Sequence, residues 1–249
     1  MPKARAAAPH NRSWPVPSRP WIMAQTWHDL LFMHWPIPIE QMRAVVPDIL
    51  PLDTFADQAW IGVVPFRMSG IRARGLPLIP GTSAFLELNV RTYVTVDGKP
   101  GVYFFSLDAA NRLAVWAARQ TYFLPYYQAQ MALAVRGTTI AYTSRRVHPF
   151  APPAALIGEY APQGEPFIAA PGSLDYWLTE RYCLYSVDRR GRVYRGEIDH
   201  SPWSLQQATA RIDVNTMVTP TGLELPAGAP RLHFSHRQQV RIWPLVRMG

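Results

Sequence analysis

Polar and apolar positions alternate most regularly along Phe85-Leu86-Glu87-Leu88-Asn89-Val90-Arg91-Thr92-Tyr93-Val94. Successive side chains of a β-strand point to opposite faces. The pattern therefore predicts a strand over Phe85 to Val96, with Glu87, Asn89, Arg91 and Tyr93 on one side and Leu86, Leu88, Val90 and Val94 on the other. Asp97-Gly98 favours a tight hairpin, and Val102 to Leu107 reads as the returning strand. Further strands are predicted at Trp60 to Met68, around Arg136 to Val147, and at Tyr182 to Asp188, Val193 to Asp199 and Gln238 to Trp243. Helical spacing is sparser. It covers Pro38 to Val46, which Pro47 stops, and an Ala-rich stretch from Ala109 to Arg119 that Asp108 is placed to cap. Short helical turns are expected at Leu174 to Glu180 and Leu205 to Ala210. Many strands, few helices and no regular βα alternation predict a mainly β domain whose antiparallel sheet is closed into a barrel or folded into a sandwich.

Composition narrows this picture. The 249 residues are 48% hydrophobic and 12% aromatic, enough to core one large domain, and no stretch resembles an interdomain linker. Apolar runs such as Leu30 to Met33 fall far short of the roughly 20 residues that span a bilayer, so no membrane partner is expected. The beginning, Met1-Pro2-Lys3-Ala4-Arg5, lacks the apolar region of a secretory signal, and the lone Cys183 cannot form an internal disulfide; both point to a cytoplasmic protein. Half of the +8 formal charge sits in residues 1–20, which carry Lys3, Arg5, Arg12 and Arg19 and no acid. Residues 1–22 are accordingly expected to be a disordered, basic, Pro-rich tail, and 23–249 a single domain. Arg189-Arg190-Gly191-Arg192 reads as a solvated hairpin tip, and nucleic acid is not an expected partner.

The polar face of the Glu87 strand has two readings: a solvent-facing surface, or a barrel interior that binds a polar ligand. Alternation alone leaves both open. Arg181, in Glu180-Arg181-Tyr182, could clamp a carboxylate, and His200 and Trp203, in His200-Ser201-Pro202-Trp203, could supply a proton donor and a stacking wall. His34-Trp35-Pro36 reads better as a core Trp beside a hydrogen-bonded His. No CxxC pair, HExxH or compact His/carboxylate cluster suggests a metal, and no P-loop or GxGxxG suggests a nucleotide, so neither metal nor cofactor is expected. Cys183, in an alternating stretch, reads as a buried inert thiol.

Several runs are shared, in order, with a known family. Met42-Arg43-Ala44-Val45-Val46-Pro47 resembles the end of an early helix in acetoacetate decarboxylases, and Glu87 falls where those enzymes carry an active-site glutamate. Ser106-Leu107-Asp108, Ala118-Arg119-Gln120 and Leu124-Pro125-Tyr126-Tyr127 resemble three further stretches of the same enzymes. FLELNVRTYV, GVYFFSLDA, LTERYCLY and HSPWSLQ are closer still to the uncharacterised YqjF-like family of the acetoacetate decarboxylase-like superfamily, over about residues 25 to 247. The resemblance implies a mainly β, acetoacetate decarboxylase-like closed antiparallel β-barrel with a few short flanking helices.

It also implies a missing nucleophile. In the decarboxylases the first lysine of a pair forms a Schiff base and its neighbour lowers its pKa. Here both positions are tyrosine, Tyr126 and Tyr127, and a Gln, Gln120, replaces the family's Glu. The chain's two lysines, Lys3 and Lys99, fall in the tail and a hairpin tip, so imine chemistry is not expected. Two functions follow. The first is binding of a small carboxylate-bearing metabolite without turnover, through Asn89, Arg91, Arg119, Tyr127, Arg181 and His200. The second is acid or base chemistry by Glu87 and Tyr126 on a small keto or carboxylic acid. Arg91 is expected to meet the ligand and Arg119 to be structural. Monomer and homo-oligomer are both left open.

Overall fold

The structure is a computed structural model that describes residues 12–77 and 83–249. Twelve strands account for most of the ordered chain: β1 (Met23–Ile37), β2 (Ala59–Ala73), β3 (Phe85–Val96), β4 (Lys99–Ala109), β5 (Tyr126–Arg136), β6 (Thr139–Arg146), β7 (Ala155–Phe167), β8 (Cys183–Val187), β9 (Val193–Asp199), β10 (Leu205–Asn215), β11 (Arg231–Ile242) and β12 (Val246–Arg247). Three helices, α1 (Ile39–Val45), α2 (Arg112–Thr121) and α3 (Leu174–Thr179), flank them.

All twelve strands belong to one sheet, in the order β12-β9-β8-β4-β3-β2-β1-β11-β10-β7-β6-β5. Two further pairings, β4 with β5 and β9 with β11, close it on itself twice. The strands β4-β3-β2-β1-β11 form a wall common to two rings, one completed by β10, β7, β6 and β5 and the other by β8 and β9. The outer edge of β4 is divided between them, with Val102 and Tyr103 on β8 and Leu107 to Ala109 on β5. Both of these short ladders are parallel; every other pairing between strands is antiparallel.

The two faces of the wall bury different things. Leu31, Met33, Val63, Leu88 and Val90 pack with Tyr142, Leu156 and Tyr160 into the main core, inside the larger ring. Leu30, Phe32, Val64, Phe66 and Met68 point the other way and pack with Trp203 and Leu205. Three wall strands change the parity of their alternation. In β1, six residues from His28 to Met33 face five on β2, Arg67 to Val63, and Asp29, at φ +55°, supplies the extra one. In β2 the extra residue falls at Gly70, where φ +61° suits a residue without a Cβ. In β4 it is Phe105, since Val90 pairs with Ser106 and Arg91 with Phe104. β3 keeps its alternation throughout.

Several expectations are met closely: β3, β9, α1 and α3 fall where the sequence places them, and Asp97 and Gly98 both have positive φ, as a tight hairpin turn requires. Others are corrected. Leu205 to Ala210 is not helical but the start of β10, because its outward residues alternate in a ladder with β7. Asp108 does not cap α2. It is fully buried in β4, and Asn111 accepts the amide hydrogens of Leu113 and Ala114 instead. The helix accordingly begins at Arg112 rather than Ala109.

The tail expectation is corrected in part. Residues 1–11 lie outside the described residues, but 12–22 pack on the domain. Arg12 forms an ion pair with Glu197, Trp14 donates to the same carboxylate at 2.9 Å, and the Trp243 indole donates to the Arg19 carbonyl at 2.7 Å. A buried carboxylate needs cations, and this one draws in Arg12, Arg195 and Lys99. Lys99, expected to be solvated, is therefore held 3.7 Å from Glu197.

Candidate ligand cavity

The polar face of β3 does not meet solvent. Glu87 and Asn89 are buried, and with Arg91 they line a cavity of about 430 Å³ enclosed by the wall, β8, β9 and α2. The side chains that bound it follow from the bulges: Met23, Gln25 and Trp27 on β1 are succeeded by Leu30 and Phe32, and Val64, Phe66 and Met68 on β2 by Ile71 and Ala73. Each parity change keeps a strand's inward side chains facing the cavity as the strand turns around it.

Glu87 has one hydrogen-bond partner for its carboxyl group, the Tyr126 phenol, which donates to it at 2.9 Å. Burial raises the carboxyl from its ordinary range to about 8, against the opposing pull of the phenol, and the neighbouring Asp108 adds to the rise. At neutral pH Glu87 is therefore mainly a neutral acid. Burial and the adjacent Glu87 carboxyl push Tyr126 well above the usual phenol range. The pair holds a proton and is built to share one.

Arg91 contrasts with the other inward arginines. Among the described residues no carboxylate lies within ion-pairing distance of it; its Nη2 reaches the Leu178 carbonyl only at 3.5 Å, and its Nε has no partner. Its guanidinium lies 5.5 Å from the Phe32 ring centroid and 5.8 Å from that of Tyr93. Arg181 lines the cavity too, but it is paired with Asp53 and stacked on Trp177 and Tyr93, with one Nη left unpartnered. Asn89 Oδ1 and Trp203 Nε1, both buried, also lack partners. His200 is buried between the Ser201 and Arg181 carbonyls and stacks on Tyr182 at 4.4 Å; burial lowers its pKa, leaving a neutral imidazole at neutral pH.

The structure thus brings Glu87, Asn89, Arg91, Tyr126, Arg181 and His200 around one space. It sends Arg119 and Tyr127 elsewhere. Adjacent residues of a strand face opposite ways, so Tyr127 turns from the cavity while Tyr126 enters it. Arg119 donates to the Tyr126 carbonyl at 2.6 Å, and the Tyr127 ring lies 4.1 Å from the Arg146 guanidinium. Both line a second, more open depression of about 710 Å³, together with Arg189, Arg190 and Arg192 of the β8–β9 turn. Cys183 is buried, its thiol pushed up to about 12 by burial, and faces away from the cavity. Sequence reasoning missed the apolar lining from β1 and from α2, and Asp53 as the partner of Arg181. The repeated aromatic residues Trp27, Phe32 and Phe66 carried a signal, but the parity changes hide it.

No helix of the described residues is long and apolar enough to cross a membrane, and no group of three His, Cys, Asp or Glu among them could hold a metal. The model of the DUF2071 family, an uncharacterized conserved protein, matches residues 24–239. The uncharacterized protein YqjF of Bacillus subtilis is 51% identical over 230 residues, which cover 92% of this chain and 94% of that one. Among solved structures, acetoacetate decarboxylase from Legionella pneumophila aligns with a TM-score of 0.64 at 10% identity, covering 95% of this chain and 93% of its own. The enduracididine biosynthesis enzyme MppR, complexed with pyruvate, aligns with a TM-score of 0.64 at 9% identity, covering 98% and 99%. At such identities these two likenesses establish the architecture, and the fold is acetoacetate decarboxylase-like.

Proposed function

This chain belongs to the DUF2071 family, and from that premise we propose that it binds a small organic carboxylate in the cavity beside β3, with Arg91 as the counter-ion. The observation that carries the reading is Arg91 itself. A guanidinium in a mostly apolar cavity is costly without an anion, and Arg91 has none among the described residues. Arg146 and Arg181 show what this fold does with an inward arginine when the purpose is structural: each is given a carboxylate. A guanidinium fork also matches a carboxylate in two parallel hydrogen bonds. MppR holds pyruvate in a related architecture, which speaks for what such a fold can accommodate. Lys99 lies outside the lining of the cavity, which speaks against a Schiff base formed by that residue.

The test is mass spectrometry of small molecules released from the purified protein on denaturation. A carboxylate is expected at a substantial fraction of one per chain. Arg91→Gln should bind the recovered molecule several-fold or more weakly, since a hydrogen bond to a charged group contributes about 1.5–3 kcal/mol. Unchanged affinity in that variant sinks the reading.

A second reading rests on the neutral Glu87 acid and its Tyr126 partner. Displaced pKa values in a cavity mark candidate acids and bases, and this pair could move a proton to or from a bound keto or carboxylic acid. Proton NMR in deuterium oxide should then show loss of an α-proton signal from a bound keto acid, slowed in Glu87→Gln; exchange at the uncatalysed rate removes this reading and leaves binding.

A further inference from the structure

The cavity is long and chemically lopsided. On β3 it runs from Arg91 through Asn89 and Glu87 to Phe85, six residues of strand, or about 20 Å. Its polar groups crowd toward the Arg91 end, where Arg181, Thr179 and His200 join it. Toward Phe85 the lining is mainly carbon, with Trp27, Met68 and Ile71 from β1 and β2 and Ala114 and Ala117 from α2, although Gln25, which accepts from the Trp27 indole, and Arg72 also border this end. A volume of about 430 Å³ is more than a two- or three-carbon acid fills. Leu76 and Leu113, two of the most exposed large aliphatic side chains of the described residues, line this same cavity, following β2 and opening α2. They give it an apolar rim.

From this shape we infer that the bound carboxylate carries an elongated apolar body, with its head at Arg91 and its chain lying along β3 toward Phe85 and α2. The inference rests on Arg91 being the counter-ion, as proposed above, and adds the class of molecule. A two- or three-carbon acid would occupy the polar end and leave the carbon-lined remainder empty or poorly hydrated. A longer chain displaces that void and buries its methylenes against Trp27, Phe66 and Met68, gaining free energy with every carbon. The Glu87 carboxyl and Tyr126 phenol, midway along, satisfy each other and so present no ionic obstacle to a chain passing over them.

Titration calorimetry with straight-chain carboxylates from acetate to decanoate, with the matching primary alcohols, tests this. Affinity should rise by about fourfold per added methylene and then level off where the chain fills the cavity. Acids should bind at least tenfold tighter than alcohols of equal length, and Arg91→Gln should abolish that difference while keeping the dependence on length. Ala114→Phe, which fills the α2 end, should bring the plateau to a shorter chain. Short acids that bind with no gain from length, or a plateau unmoved in Ala114→Phe, would overturn the elongated ligand and leave the carboxylate site standing. If no acid of any length binds, the reading of Arg91 falls, and the inference with it.

Discussion

Two buried carboxyl groups stand on neighbouring strands and meet opposite fates. Asp108, on β4, is clamped by Arg146 through bonds of 2.6, 2.9 and 3.2 Å, with both side chains almost wholly buried. Glu87, beside it on β3 and across from Ala109, receives a single phenol and no cation. The unpaired arginine, Arg91, lies four residues further along the same strand. Where this fold needs a charge for its own integrity it neutralises it locally; where it lines the cavity it leaves a neutral acid and a free cation apart. On the reading proposed above, that separation keeps both groups available to a ligand, since pairing the two would have removed both from use.

Removing Arg146 should have the largest effect. Arg146→Met leaves Asp108 buried without its partner and should lower stability by about 3–5 kcal/mol, read from the urea midpoint. A loss below 1 kcal/mol would erase the contrast. Glu87 should act in the opposite sense and depend on pH. Its folded pKa of about 8 lies above the unfolded value of 4.5, so the folded state keeps a proton that the unfolded chain has released. Stability therefore falls as pH rises from 4.5 to 8 and levels beyond. Glu87→Gln, which is permanently neutral, should match the wild type below the window and exceed it above by up to a few kcal/mol. Parallel pH profiles of the two proteins would show that Glu87 ionises normally.

Deleting residues 1–22 strips Arg12 and Trp14 from Glu197, whose remaining partners are Arg195 and Lys99. A loss of about 1–3 kcal/mol is expected, seen as a lower melting temperature; an unchanged melt would restore the idea of a passive tail. The smallest effect belongs to Arg91→Gln. Having no carboxylate to orphan, it should shift stability by less than about 1 kcal/mol in ligand-free protein, and a shift as large as that of Arg146→Met would make Arg91 structural.

How much was legible in the sequence follows the bulges. β3 keeps strict alternation, so the sharing of one face by Glu87, Asn89 and Arg91 could be read directly, while alternation left open whether that face is enclosed. β1 was not recognised at all: the extra residue at Asp29 splits it into Met23-to-His28 and Leu30-to-Ile37 halves of opposite parity, and the second half shows a continuous apolar run because both of its faces are buried. Leu205 to Ala210 was misread for another reason: its core-facing Ala208 and Ala210 and outward Gln207 carry weak β signal. The pairing of Arg146 with Asp108 joins positions 38 residues apart and is set by tertiary packing, beyond the reach of local pattern.

The shared wall also constrains the order of assembly. β1 is the first strand made, yet one of its edges is completed only by β11, with His34 against Arg231 and Met23 against Ile242. Until nearly the whole chain has left the ribosome, that edge presents unsatisfied amides and carbonyls beside a run of large apolar side chains. Such an edge invites pairing with other chains. The many contacts between sequence-distant strands further predict slow folding, so the nascent chain is the stage at which this protein is most exposed to aggregation and to chaperone capture.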